Sequence, residues 1–154
     1  MEKKLRVLAN LAADLNESDI LWAVGASAML FLRGIMKEFR DIDLLVCEED
    51  VEVAQEILMR HGTQLPTADD SRFDSKHYRK FDVDGVEIDL IAGFVVNGED
   101  GQHVCPLLME EVDGCVDVLD EAVSLHSLQT WYQYYTWMGR AERVKTIEEY
   151  FEIK

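Results

Sequence analysis

The sequence predicts an α/β fold, and three observations lead to that prediction. Two short apolar runs, residues 20–24 and 41–46, are each followed by a segment with the apolar spacing of a buried helix. The dipeptide Asp84-Gly85 separates two further strand-like runs and is a strong hairpin signal. Residues 124–152 return to helical spacing. Strands that alternate with helices and then form a hairpin indicate a sheet covered by helices.

The length and composition predict one globular domain over residues 1–154. A chain of 154 residues with 48% hydrophobic and 30% charged residues is long enough for one core. No apolar run approaches the roughly 18 residues that cross a bilayer, and the first residues lack the apolar core of a signal peptide. We therefore expect a cytoplasmic protein that does not bind membranes. The three cysteines have no metal-type spacing and are expected to be free thiols: Cys47, Cys105 and Cys115.

The net charge restricts the class of partner. The chain has 15 Lys and Arg residues and 31 Asp and Glu residues, which gives a formal net charge of −16. Such a surface repels phosphate backbones, so stable binding to nucleic acid is not expected. Cationic small molecules or basic proteins are favoured instead. The stretch from Glu110 to Glu121 contains six acids and no base, and it is either a solvated rim or a surface that attracts a cationic acceptor.

The first half of the chain predicts three helices and two strands. Leucines at helical spacing predict an opening helix over residues 2–16. A strand over residues 20–24 then leads through the turn Gly25-Ala26-Ser27 into a buried helix that begins at Ala28. The strand over residues 41–46 is followed by a helix that ends at His61-Gly62.

The second half predicts a loop, a hairpin and two C-terminal helices. Residues 63–72 are polar and aperiodic, and predict a loop long enough to be functional. The hairpin strands are residues 76–83 and 86–91. Residues 95–101 are rich in turn signals. Weaker predictions follow along the chain: strands over residues 103–107 and 115–119, Ser124 as the N-cap of a helix to Met138, and a final helix between Gly139 and Phe151.

The segment Asp41-Ile42-Asp43 carries two carboxylates on one face of a strand. Residues two apart on a strand point to the same side, roughly 6.5 to 7 Å apart at their Cα atoms. Such a pair can bind a hard cation such as Mg²⁺, and a site for two ions usually needs a third acid from a neighbouring strand. The hairpin supplies Glu87 and Asp89 on one face. We choose Asp89 because it lies deeper in the apolar run, with Glu87 as the alternative.

The turn Gly25-Ala26-Ser27 is a candidate anion site. A glycine turn that opens a helix presents backbone N–H groups to an anion, so a triphosphate bridged to Mg²⁺ fits between this turn and the carboxylates. Two groups of basic residues could also hold the triphosphate, or else balance nearby acids as solvated charges. They are Arg33, Lys37 and Arg40 before the acidic strand, and Lys76, Arg79 and Lys80 on the first hairpin strand.

In combination, these motifs resemble the nucleotidyltransferase superfamily of the DNA polymerase beta type, in its small single-domain bacterial branch. Residues 23–28 are similar to its glycine-serine motif, residues 40–46 to its paired-aspartate strand, and residues 87–90 to its third-carboxylate strand. The resemblance covers the core motif region, residues 19–94. It is closest to the lincosamide or aminoglycoside nucleotidyltransferases and to the nucleotidyltransferase partners of abortive-infection toxin-antitoxin pairs.

The resemblance implies a mixed central sheet flanked by helices, with further helices at the C-terminus. It also implies transfer of a nucleoside monophosphate from an NTP, such as ATP, to a hydroxyl of a small molecule or protein, with two Mg²⁺ ions and release of pyrophosphate. On this sequence the implied catalytic and metal-binding residues are Asp41, Asp43 and Asp89. The implied phosphate-binding residues are Gly25, Ser27, Lys37 and Arg40.

Two segments depart from the family pattern, and the first of them, together with the aromatic C-terminal helix, motivates a second hypothesis. Lys37-Glu38-Phe39 stands where members often have Arg-x-Thr, and residues 139–143 read Gly-Arg-Ala-Glu-Arg where many have Gly-Arg-x-Lys-Asp. The alternative is a catalytically weak binding module or antitoxin-like partner, and a third possibility is an acidic scaffold that binds Ca²⁺ loosely or no ion. Aromatic residues at helical spacing near Trp131 predict a helix packed on the sheet or at a homodimer interface.

Overall fold

The computed structural model describes residues 1–67 and 75–153. The helices in this part of the chain are α1 (Glu2–Glu17), α2 (Ala26–Leu32), α3 (Val51–His61), α4 (Leu128–Met138) and α5 (Ala141–Ile153). The strands are β1 (Trp22–Gly25), β2 (Ile42–Val46), β3 (Thr63–Leu65), β4 (His77–Val83), β5 (Val86–Ala92), β6 (Phe94–Gly98), β7 (Gly101–Cys105), β8 (Val112–Val118) and β9 (Glu121–His126). None of these helices combines the length and apolar character that a membrane crossing requires.

The main sheet is mixed, as the family resemblance implied. Its seven strands have the order β3-β4-β5-β2-β1-β9-β8. The pairs β2–β5 and β1–β9 are parallel, while the other neighbours are antiparallel. Strands β6 and β7 form a separate two-stranded hairpin. The fold class predicted from the sequence is therefore confirmed.

The core fixes the two central strands that carry the acids. In β2 and β5, Ile42, Leu44, Ile88 and Leu90 are fully buried. Helix α1 buries one face of leucines against the sheet and against α3, as its helical spacing predicts. Parallel strands that are covered on both faces are apolar almost throughout, and here the polar exceptions are the acids near the start of each strand. Those acids are held by a rigid scaffold.

The Asp84-Gly85 hairpin forms as predicted. Strands β4 and β5 pair in register from Val83 and Val86 at the turn to His77 and Ala92. Asp84 and Gly85 have φ angles of 52° and 83°, the left-handed conformation that a two-residue hairpin turn needs at both positions. The turn therefore sets the register that places Lys80 beside Asp89.

Three local predictions are wrong, each because pairing between distant segments outweighs a local signal. Thr63–Leu65, predicted as loop, is an edge strand on β4, while residues 68–72 of that prediction lie outside the described residues. The stretch 95–101, predicted as turn-rich, is mostly strand, because β6 pairs with β7 around a short turn at Glu99 and Asp100. Ser124 lies in β9, not at a helix start; the N-cap of α4 is Ser127, whose Oγ accepts a hydrogen bond from the Thr130 N–H at 3.2 Å.

The aromatic helix packs within the chain. Trp131, Tyr134 and Tyr135 are buried, and the rings of Trp131 and Tyr134 lie beside Phe94 at centroid distances of 6.0 and 5.3 Å. The prediction of a packed helix is confirmed, and a homodimer remains a prediction. The three cysteines are free thiols, as expected.

Candidate active site

The paired strands β2 and β5 bring four carboxylates together. Asp43 and Asp89 are register partners across this parallel pair. Asp41 immediately precedes β2, and carboxylate oxygens of Asp41, Glu87 and Asp89 all lie within 4.8 Å of one another. Asp43 joins them through a side-chain hydrogen bond to Asp89. Both alternatives for the third acid, Glu87 and Asp89, are thus part of one group, which we call the carboxylate cluster.

Asp89 is the most enclosed member of the carboxylate cluster. It is only 7% exposed, and its Oδ2 accepts a hydrogen bond from the Tyr78 hydroxyl at 3.2 Å. Its Oδ1 is buried and has no hydrogen-bond donor among the described residues. A buried acceptor without a donor is costly, so this oxygen needs positive charge nearby, and Lys80 Nζ lies 3.6 Å from it.

The three aspartates of the carboxylate cluster hold their protons more tightly than isolated acids do. Burial raises the pKa of Asp43 well above its usual range, and the charge of Asp89 and the hydrogen bond to it add to this effect. Burial also raises the pKa of Asp89, with contributions from Glu87 and Asp41 that oppose the lowering by Lys80. Burial and the neighbouring Glu87 raise the pKa of Asp41. A bound cation would relieve this repulsion.

One ammonium group, that of Lys80, contacts the carboxylate cluster. Lys80 Nζ donates a hydrogen bond to Glu87 Oε2 at 2.9 Å and lies 3.6 Å from Asp89 Oδ1. Burial alone would lower the pKa of Lys80, but the hydrogen bond to Glu87 and the charge of Asp89 outweigh it and raise the pKa. Lys80 is therefore a permanent cation at neutral pH.

The carboxylate cluster opens into a cleft of about 320 Å³. Ser27 lines it together with Asp41, Asp43 and Asp89. The antiparallel pairing of β1 with β2 places Gly25 opposite Asp43, which brings the glycine-serine turn beside the acids. The remaining walls are largely apolar and aromatic, and include Tyr78, Ile91, Phe94, Trp131, Tyr135 and Met138. A cleft in which aromatic and apolar walls surround convergent charged groups is typical of a ligand site.

Gly25 contributes by packing. A Cβ at this position would lie 2.5 Å from the Trp131 side chain and 2.8 Å from that of Leu45, so glycine is required for their approach. Trp131 is held by a hydrogen bond from its Nε1 to Nδ1 of His126 at 2.9 Å. Burial, with a smaller effect from Arg33, lowers the pKa of His126 to about 4, so the ring is neutral and can accept that bond. Gly25 therefore supports the cleft wall but does not line the cleft.

The basic residues of the cleft differ from those predicted. Lys37 and Arg40 are exposed and do not line it. In the described part of the chain, its cationic lining residues are Lys80, Arg140 and Arg143. Sequence analysis singled out residues 139–143 only as a departure from the family pattern, because nothing local indicates that Arg140 and Arg143 line the same cleft as Asp41 and Asp43. Arg143 forms no ion pair with a described carboxylate, which is unusual for a half-buried guanidinium in so acidic a protein.

The carboxylate cluster fits Mg²⁺. Its members offer only carboxylate oxygens, the ligands that this hard cation prefers. The donorless Asp89 Oδ1 and the raised pKa values both indicate a place where positive charge is needed. Asp41, Asp43 and Asp89 are suited to hold the ion, with Glu87 as a further oxygen ligand.

Several solved structures share this fold. A Thermotoga maritima protein, TM1012, which carries the provisional name nucleotidyltransferase, is 23% identical with a TM-score of 0.75, over 99% of this chain and 94% of that one. The aminoglycoside nucleotidyltransferase ANT(2'')-Ia, in complex with adenylyl-2''-tobramycin, is 12% identical with a TM-score of 0.61, over 95% and 86% of the two chains. The solution structure of the antibiotic-resistance factor ANT(2'')-Ia is 11% identical with a TM-score of 0.59, over 96% and 89%.

At the level of sequence, no protein-family model and no curated protein matches the chain. The structural likeness nevertheless extends over nearly all of it. The chain therefore has the nucleotidyltransferase fold, as its motifs implied.

Proposed function

From this fold and this cleft, we propose that the protein is a Mg²⁺-dependent nucleotidyltransferase. It transfers a nucleoside monophosphate from an NTP to a hydroxyl of a small molecule or protein and releases pyrophosphate. The observation that carries the proposal is the carboxylate cluster in one cleft with Ser27, Arg140 and Arg143. Oxygen ligands for a metal, together with donors for phosphates, are the components that phosphoryl transfer needs.

Asp41, Asp43 and Asp89 hold the metal in this proposal, with Glu87 beside them. When bound, Mg²⁺ neutralises the charge that develops on the transferring phosphoryl group and on the leaving pyrophosphate. The family resemblance implies two such ions. The number bound at one time depends on Lys80, whose ammonium already contacts two of the carboxylates.

The phosphates are bound by the remaining polar groups of the cleft. Arg140 and Arg143 supply guanidinium groups, which match phosphate oxygens in geometry and charge. Ser27 supplies a hydroxyl and Gly25 keeps the turn close to Asp43. Lys37 and Arg40 do not line the cleft. Their proposed role is limited to contacts with phosphate groups that project beyond it.

The chemical step forms one bond and breaks one. The acceptor oxygen bonds to the α-phosphorus, and the bond from the α-phosphorus to the bridging oxygen of pyrophosphate breaks. The acceptor proton passes to a carboxylate, Asp89 or Glu87, which acts as the general base.

The acceptor class follows from charge. The net charge of −16 favours cationic acceptors over anionic ones. The ANT(2'')-Ia complex contains an adenylylated tobramycin, so hydroxylated amino compounds are the first acceptors to screen. Basic proteins with exposed hydroxyl side chains are the second class.

Thermal unfolding with nucleotides tests the proposal. Wild type and Asp43→Asn are heated with each NTP, with and without Mg²⁺. A ligand at about 100 times its Kd adds roughly 2.7 kcal/mol to stability. We expect one NTP to raise the Tm of wild type only with Mg²⁺, and this rise to vanish in Asp43→Asn. Pyrophosphate release is then measured with the acceptors named above.

The opposite result favours the second hypothesis. If no NTP changes the Tm of wild type, the proposed donor site is wrong. Stable copurification with a basic helical partner would then identify a binding module or antitoxin-like protein. One of the two features that motivated this hypothesis, the segment of residues 37–39, has a structural role in part, because Phe39 is buried and packs on Phe31 at a ring distance of 5.2 Å.

A further inference from the structure

Lys80 places an ammonium group among the carboxylates of the cluster. The antiparallel register of β4 and β5 sets Lys80 opposite Asp89. Its Nζ lies 2.9 Å from Glu87 Oε2 and 3.6 Å from Asp89 Oδ1. Of the described residues, it alone forms an ion pair with the carboxylate cluster.

Several contacts keep this ammonium in place. Lys80 lies in a strand that is paired on both sides, with β3 and with β5. Its side chain is 26% exposed, and Nζ also lies 5.7 Å from the centre of the Tyr78 ring, where a cation is attracted to the ring face. The lysine is therefore part of the site and not a mobile surface charge.

A second divalent ion would need the same oxygens. Two-metal sites hold their ions about 3.5 to 4 Å apart and share carboxylates between them. Mg²⁺ binds its oxygens at about 2.0 to 2.1 Å, so an ion on Glu87 Oε2 and Asp89 Oδ1 would be in direct contact with Lys80 Nζ. The like charges and the overlap make the two cations mutually exclusive at these two oxygens.

We propose that the Lys80 ammonium replaces the second divalent ion, so that the carboxylate cluster holds one divalent ion and one lysine cation together. This inference rests on the proposed function for the presence of a metal, and it differs from the two ions that the family resemblance implies. Asp41 and Asp43 remain available to the single ion, because neither forms an ion pair with Lys80.

The count of bound Mn²⁺ tests this inference without any nucleotide. Mn²⁺ replaces Mg²⁺ as an ion visible by electron paramagnetic resonance, and it is titrated into the full chain. We expect one Mn²⁺ in the carboxylate cluster of wild type and two in Lys80→Met. The matched control is Lys76→Met, because Lys76 lies just before the same strand, is 65% exposed and does not line the cleft. Among the described residues its one ion pair is with Glu48, at 3.6 Å, so this variant should bind one Mn²⁺.

Two further measurements tie the count to the carboxylate cluster. Asp43→Asn should remove the wild-type ion, because Asp43 is one of the two carboxylates left to it by Lys80. Two Mn²⁺ ions in one cluster couple magnetically and broaden the signal, whereas a second ion elsewhere on this acidic surface does not. Circular dichroism checks the fold of each variant, and Lys80→Gln replaces Lys80→Met if the latter does not fold.

Each outcome of the Mn²⁺ titration either supports or overturns the inference. Coupled ions in wild type, or a single ion in the folded lysine variant, overturn the inference and leave the proposed function intact. An absence of Mn²⁺ from both wild type and the lysine variant overturns the inference and the proposed metal site together. One ion in wild type and two coupled ions in the lysine variant support it.

Discussion

Asp43 and Asp89 face each other across the parallel strands β2 and β5 and form a hydrogen-bonded pair of carboxyl groups. Both strands are apolar on either side of the pair, so the scaffold forces the two acids into a poorly solvated space. Their mutual repulsion is relieved by a shared proton, by Lys80 or by a divalent cation. The arrangement costs stability, and such a cost is common where a site must bind charge.

The first prediction is that Asp43→Asn stabilises the metal-free protein. An amide has a similar shape and no charge, so the repulsion with Asp89 disappears. We expect the free energy of unfolding at pH 7 to rise by on the order of 1 kcal/mol, as measured by urea denaturation with EDTA. Asp84→Asn, at the exposed hairpin turn, is the control and should change little. A clear loss of stability in Asp43→Asn would mean that this carboxylate is structural.

The second prediction concerns pH. The pKa values of Asp43 and Asp89 are raised in the folded state, so between the unfolded pKa of about 4 and the raised values the folded protein binds more protons than the unfolded chain. The contribution of this pair to the free energy of unfolding is therefore fully present below the unfolded pKa. It is lost as the pH rises through the raised pKa values of the folded state. We expect the free energy of unfolding of wild type to fall with pH relative to Asp43→Asn, measured in EDTA.

The affinity for a divalent metal ion should rise with pH, whereas the free energy of unfolding should fall. Protons and Mn²⁺ compete for the same oxygens, so the affinity for Mn²⁺ should increase as the pH rises through that range. The same titration in Asp84→Asn should follow wild type. An affinity for Mn²⁺ that does not vary with pH would place the ion away from Asp43 and Asp89.

The third prediction concerns the donor nucleotide. Arg143→Met removes a guanidinium that has no described carboxylate partner, so its charge is available to phosphate. The loss of one hydrogen bond to a charged group corresponds to about 1.5 to 3 kcal/mol, or roughly 10- to 100-fold in Kd. Calorimetry with Mg²⁺ and the NTP that raises the Tm measures this change. Lys145→Met, an exposed lysine on the same helix, should bind as wild type does.

The fourth prediction tests the packing at the glycine turn. Gly25→Ala introduces a methyl group against Trp131 and Leu45, and overpacking of this kind costs about 1 to 3 kcal/mol. In a Trp131→Leu background the same change should cost less, because the closest contact is gone. A double-mutant cycle measured by urea denaturation gives this coupling. Equal costs in both backgrounds would show that Trp131 does not impose the glycine.

The fifth prediction separates two serines as helix caps. Ser127→Ala removes the hydrogen bond to the Thr130 N–H and should cost about 1 kcal/mol. Ser124→Ala, in β9, removes no cap and should cost less. Equal and small losses would indicate that the start of α4 is held by packing alone.

Much of the fold could be predicted because it depends on local chemistry. The acids of residues 41–43 and 87–89 are recognisable from their alternation with apolar residues, which fixes the strand face on which they lie. Asp84-Gly85 defines a hairpin because few other dipeptides adopt two left-handed conformations in sequence. In the same way, the end of α3 at Gly62 and the packed face of α4 follow from short-range spacing.

The remaining features depend on which segments become neighbours. Ser124 resembles a helix cap in the sequence, but its segment pairs in parallel with β1 and therefore forms strand β9. The packing of the C-terminal helices places Arg140 and Arg143 in the same cleft as the acids, and the register of β4 on β5 places Lys80 beside Glu87 and Asp89. These contacts join residues far apart in sequence, so periodicity carries no signal for them. The sequence alone thus determined most of the strands and helices and the candidate acids. Only the tertiary structure decided which cations meet those acids, because that depends on long-range register and packing.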